Sequence, residues 1–153
     1  MIAVIKQLFS ATGPLALSFD GYTPRQPQID MAVAVAQALK NGSQLVVEAG
    51  TGTGKTFAYL APALKSKGRT IISTGSKALQ EQLYHRDLPQ LVKALSATKK
   101  TALLKGRANY LCTYRLNQHV AHVPTDDPDV MHQLAMVAKF ASETQSGDLA
   151  DCI

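Results

Sequence analysis

The run Glu48-Ala49-Gly50-Thr51-Gly52-Thr53-Gly54-Lys55-Thr56 constrains this chain more than any other stretch. Glycines at alternate positions weaken any regular helix or strand, so the run has to be a shaped loop. It follows the phosphate-loop pattern G-x-x-x-x-G-K-[ST], with Ala49 in the first small-residue slot. Gly50, Gly52 and Gly54 are expected to reach positive φ and turn backbone N–H groups, with those of Thr51 and Thr53, toward an anion. Lys55 supplies a mobile cation for the β- and γ-phosphates, and the Thr56 hydroxyl can ligate Mg²⁺. Binding of a nucleoside triphosphate, ATP with Mg²⁺, is the expectation.

The flanks set the predicted fold. Leu45-Val46-Val47 is β-prone, and helix-permissive residues run from Lys55 to about Lys67, with Pro62 as a kink and Gly68 as a C-cap. Thr70-Ile71-Ile72-Ser73 and Ala102-Leu103-Leu104 predict two further buried strands. Between them lie predicted helices from Lys77 to Tyr84 and, after a turn at Asp87-Leu88-Pro89, on to Leu95. Upstream, residues 2–11 predict a short amphipathic helix and 13–22 a loop. Thr23 and Pro24 open a helix with an apolar stripe of Ile29, Val33, Ala36 and Leu39, closed by Gly42. Asp127-Pro128 opens another amphipathic helix through Ala141. Strands alternating with helices predict an α/β fold: a P-loop parallel sheet with flanking helices.

The length of 153 residues fits one domain. Net charge is +5, which permits a nucleic-acid partner without requiring one. Two cysteines make no disulfide framework, the N-terminus is not a secretory signal, and no apolar run is long enough for a membrane span. A cytoplasmic location with no membrane partner is expected.

Tyr22, Arg25 and Gln28 read either as exposed first-turn residues or as an adenine-reading set, through ring stacking and amide hydrogen bonds. His119 and His122 read as exposed helix residues rather than as zinc ligands with Cys112. Among the eleven acidic residues, Glu48 alone ends an apolar run, and it already belongs to the loop. A second, Mg²⁺-holding carboxylate is missing. The chain is therefore expected to be the front portion of a longer enzyme, with little hydrolysis by itself.

These runs together resemble the XPD/DinG-type superfamily 2 DNA helicases. Residues 48–56 resemble that family's motif I, and Tyr22-x-Pro24-Arg25-x-x-Gln28 its adenine-reading Q-motif. Ile72-Ser73-Thr74 with Leu79-Gln80-Glu81-Gln82-Leu83 resembles motif Ia, which touches the DNA backbone. Lys105-Gly106-Arg107-x-Asn109-Tyr110-Leu111-Cys112 resembles the approach to the family's iron–sulfur domain. The resemblance implies ATP-driven 5′→3′ movement on single-stranded or forked DNA, in repair or replication, with a replication or repair protein as a further partner. It implies a RecA-like first lobe, incomplete over residues 1–106, and the truncated start of the iron–sulfur region over 107–153. Cys112 would be the first thiolate of a [4Fe–4S] cluster in a full-length relative, Cys152 would be incidental, and no cluster is expected here. Ser73, Thr74 and Gln80 would contact a single strand, with Lys105 and Arg107 adding charge. A small P-loop kinase and a non-catalytic nucleic-acid or partner-binding module stay open as alternatives.

Overall fold

The computed structural model describes residues 1–122 and 127–152, without the side chain of His122. It divides into two compact units, Met1–Ala102 and Leu103–Ile153.

The first unit is built on helices. Helix α1 (Ile2–Leu8) and α2 (Pro14–Ser18) meet at Gly13, where a Cβ would lie 2.1 Å from the Gln7 carbonyl oxygen. The predicted helix over 2–11 is thus shorter, and part of the predicted loop is α2. Helix α3 (Gln26–Asn41) starts two residues later than Thr23 suggested, with Arg25 as N-cap. Pro27 then falls at the second helical position, where its missing N–H had no intrahelical acceptor to lose. Gly42 ends α3 in the left-handed region at φ 63°. Helix α4 (Lys55–Lys65) runs through Pro62 and stops at Ser66, short of the predicted Lys67 and Gly68.

Small residues let α3 and α4 pack together: Ala32 and Ala36 from one and Ala58 and Ala61 from the other are fully buried. Ile29 and Val33 border this core rather than fill it, and Leu39 is exposed, so the stripe is rotated toward Gln28, Ala32 and Ala36. Ile5, Phe9, Leu15 and Leu91 complete the core without solvent access.

From Lys77 to Ala94 the chain is helical throughout. Ser76 caps α5 (Lys77–Gln82) by accepting from the Leu79 N–H at 3.3 Å. A π turn over Leu83–Asp87 leads into α6 (Leu88–Ala94), with Pro89 at a first-turn position. The predicted break at Asp87-Leu88-Pro89 does not occur: Pro89 falls just after the π turn, where the hydrogen-bond ladder changes register and the helix continues past it.

The predicted parallel sheet is not formed. Among the described residues there is no strand, and the one β-bridge pairs Tyr110 with Asp148. A strand exists through its ladder, and the three β-prone runs have no ladder to join. Their side chains are also not buried: Val46 is 97% exposed, Ile71 95% and Leu104 82%. Apolar, β-branched composition marked these runs, but pairing decides the state.

In the second unit the Lys105 ammonium lies 2.5 Å from the Asp148 carboxylate, with side chains only 8% and 12% exposed. The Lys105 N–H donates to the Tyr110 hydroxyl at 2.8 Å, and the Leu111 N–H to the Gly147 carbonyl at 2.8 Å. These bonds tie the start of the unit to its end. Between them α7 (Thr113–His122) packs on α8 (Pro128–Glu143). Asp127 caps α8 as its sequence predicts, accepting from the Asp129 N–H at 2.9 Å. None of the described helices is long and apolar enough to cross a membrane.

Candidate functional site

The glycine-rich loop joins the irregular stretch after α3 to the first turn of α4. Gly52 and Gly54 take φ of 77° and 79°; Gly50 does not enter the left-handed region, contrary to expectation. Gly54 is the N-cap of α4, so Lys55 and Thr56 open the helix. The first amides of a helix have no intrahelical acceptor, and here they follow directly on the loop.

Cations and amides hold the loop by its carbonyls. Lys55 Nζ donates to the Ala49 oxygen at 2.6 Å and the Gly50 oxygen at 2.8 Å. The Thr53 hydroxyl donates to the Gly50 oxygen at 2.9 Å. Arg25 donates through Nη1 to the Gly52 oxygen. Gln28, buried on α3, donates through Nε2 to the Gly54 oxygen at 3.0 Å. With the carbonyls of Ala49, Gly50, Gly52 and Gly54 bonded, by Thr53 and Lys55 of the run itself and by Arg25 and Gln28 of another segment, the loop has N–H groups for an anion. Thr51 is an exposed turn residue at the loop tip.

Arg25 and Gln28 therefore grip the phosphate loop itself. Tyr22 adjoins them, its hydroxyl donating to the Phe9 carbonyl at 3.2 Å, which holds the ring against the core. Partial burial pushes its phenol pKa up, with Arg25 opposing. Burial likewise raises Tyr59, opposed by a hydrogen bond with Thr56 and reinforced by the Asp87 charge.

An open cavity of about 410 Å³ lies beside the loop. Tyr22, Gln28, Gly54 and Thr56 line it, with the rings of Phe19 and Phe57 at 5.2 Å between centroids. Gln82 at the end of α5 and Arg86 and Asp87 of the π turn also line it. Sequence reasoning missed these three and Phe19 and Phe57. A signal existed: Leu83, Asp87 and Leu91 fall at i, i+4, i+8, which puts a carboxylate on the buried stripe. Asp87 is indeed only 6% exposed.

The remaining predicted residues are not among those that line this cavity. Ser73 is exposed, and the Thr74 hydroxyl donates to the Ser76 carbonyl at 3.2 Å, in the approach to α5. Lys105 is paired with Asp148 and its side chain is buried, whereas Arg107 is exposed. Cys112 is an exposed thiol and Cys152 a half-buried one. Among the described residues no three His, Cys, Asp or Glu side chains gather as a metal site.

Residues 30–143 match the DEAD/DEAH box helicase family. The chain is 54% identical over 149 residues to the ATP-dependent DNA helicase YoaA of Haemophilus influenzae, covering 97% of this chain and 23% of that protein. It is 52% identical to the YoaA of Escherichia coli strain K12, over 95% of this chain and 23% of the relative. It is 42% identical to the ATP-dependent helicase DinG of Mycobacterium tuberculosis strain H37Rv, over 90% of this chain and 24% of the relative. The chain thus spans about a quarter of the length of these relatives. No solved structure matches it.

Proposed function

The chain belongs to the DEAD/DEAH box helicase family, and from that premise we propose that it carries the ATP-binding part of a 5′→3′ DNA helicase of the DinG/XPD type. The observation that supports this most is the loop at residues 50–56, held by Arg25 and Gln28 through the Gly52 and Gly54 carbonyls. The Q-motif-like residues and the phosphate loop form one hydrogen-bonded unit.

In this reading the α4 amides and Gly52–Gly54 receive the phosphates. Lys55 exchanges the Ala49 and Gly50 carbonyls for phosphate oxygens. Tyr22 and Gln28 border the space for the base. Thr56 would hold Mg²⁺, which when bound neutralises charge on the β- and γ-oxygens. One hydroxyl suits the loop ligand of such a site, and the chain adds no strand-borne carboxylate beside it. Binding therefore outruns hydrolysis. Residues 1–106 are read as the nucleotide-handling part and 107–153 as the start of the iron–sulfur region. A [4Fe–4S] cluster needs four thiolates; the two present do not fit one, and Cys112 can offer at most a single ligand. Ser73, Thr74, Gln80 and Arg107 are read as contacts to the backbone of single-stranded or forked DNA.

Titration with ATP and Mg²⁺ tests the core of this. Lys55→Ala should lower ATP affinity at least tenfold while leaving the helical circular dichroism unchanged, since the Lys55 side chain is bonded only to loop carbonyls. Equal affinity in the two proteins would count against the reading.

A further inference from the structure

The cavity beside the loop is lined by only part of the phosphate-binding run. Gly54 and Thr56 line it, but Gly50 through Thr53 do not. The Phe19 and Phe57 rings, inclined at 49°, give it an apolar wall. A space off the helix end of the loop, walled by aromatic rings, suits what the phosphates carry rather than the phosphates themselves.

Three further lining residues, Gln82, Arg86 and Asp87, are bonded to one another. Arg86 Nε donates to Asp87 Oδ1 at 2.8 Å, and Gln82 Nε2 donates to Asp87 Oδ2 at 3.0 Å. The Asp87 side chain is 9% exposed and that of Arg86 62%. The carboxylate thus holds the guanidinium through Nε, and Arg86 lines the cavity. Successive residues on an α-helix diverge by about 100°; on the π turn Arg86 and Asp87 border the same space. A planar cation held at the edge of an aromatic-walled cavity can stack on a flat ring and donate to oxygens beside it.

We infer that Arg86, oriented by Asp87 and Gln82, contacts the nucleoside moiety of the bound nucleotide, with Asp87 a positioning residue. The inference rests on the nucleotide-binding reading above and adds a determinant from the helical run over 77–94, which lines the same cavity as Tyr22 and Gln28.

The full chain is titrated with Mg²⁺ and either ATP or inorganic tripolyphosphate. Arg86→Ala should weaken ATP about tenfold and tripolyphosphate by less than about twofold. Arg86→Lys, which keeps the charge but not the plane, should resemble Arg86→Ala for ATP. Asp87→Asn should give a smaller loss for ATP, and none further in the Arg86→Ala background. Only variants that keep the wild-type helical circular dichroism are scored, since misfolding would lower both probes together. ATP affinity unchanged by Arg86→Ala, or an equal loss for the two probes, overturns the assignment and leaves the nucleotide reading intact if Lys55→Ala still weakens both. A wild-type chain that binds neither probe overturns the nucleotide reading, and this inference with it.

Discussion

Gly54 is bound to glycine by two independent facts. Its φ of 79° lies where a side chain strains the backbone, and a Cβ there would come within 2.1 Å of Gln28 Nε2. The first costs about 1–2 kcal/mol. The second displaces the amide that bonds the Gly54 carbonyl, worth about 1 kcal/mol more. Gly54→Ala should therefore lower stability by about 2–3 kcal/mol in urea unfolding and abolish ATP binding. Gly50 differs: its φ is not left-handed and a Cβ there meets nothing within 4 Å. Gly50→Ala is accordingly the control, with a stability loss of less than about 1 kcal/mol expected. Equal losses at both positions would mean that the loop is not held as described.

Among the elements, the second unit hangs on an ion pair. Lys105 and Asp148 come from its two ends and are almost wholly withdrawn from water. Removing one partner leaves the other charge buried, at a cost of about 3–5 kcal/mol, whereas replacing both by apolar residues is often near neutral. Lys105→Met should strip hydrogen-exchange protection from residues 103–122 and 127–152 while α3 and α4 keep theirs. Adding Asp148→Leu should restore most of it. Failure of the double variant to recover would show that the bonds of Asp148 to its neighbours matter more than the pair. This bond was not legible beforehand, because Lys105 and Asp148 stand 43 positions apart and each reads as an ordinary surface charge. What was legible is local. The phosphate loop, the Asp127 cap and the Gly42 stop each depend on residues within a few positions. The π turn was not, since Asp87-Leu88-Pro89 reads as a turn until Leu91 is seen fully buried four residues beyond Asp87. Of the site, the loop was legible in outline, but Arg25 and Gln28 read only as exposed or adenine-reading residues; their bonds to the Gly52 and Gly54 carbonyls, like the lining by Gln82, Arg86 and Asp87, required the tertiary fold.

For the whole molecule, the question is which apolar residues hold it together. The sheet expected from Leu45-Val46-Val47, Thr70–Ser73 and Ala102–Leu104 would place its β-branched side chains at the centre of the protein. In the structure the centre is instead helical, with Ile5, Phe9, Leu15 and Leu91 at no exposure. The two arrangements assign opposite energies to the same substitutions. An exposed apolar residue loses almost nothing on replacement, within about 0.5 kcal/mol. A buried leucine cut to alanine loses about 2–5 kcal/mol through lost transfer energy and the cavity left behind. Val46→Ser and Ile71→Ser, at 97% and 95% exposure, should therefore leave the urea midpoint within error of the wild type, singly or together. Leu91→Ala should lower it sharply, because the side chain stands between α6 and the helices that carry the loop. Because burial, not composition, sets the outcome, the comparison is decisive in either direction. A loss of 2 kcal/mol or more at Val46 or Ile71 would show that these runs are packed in solution and that the helical core is not the sole source of stability.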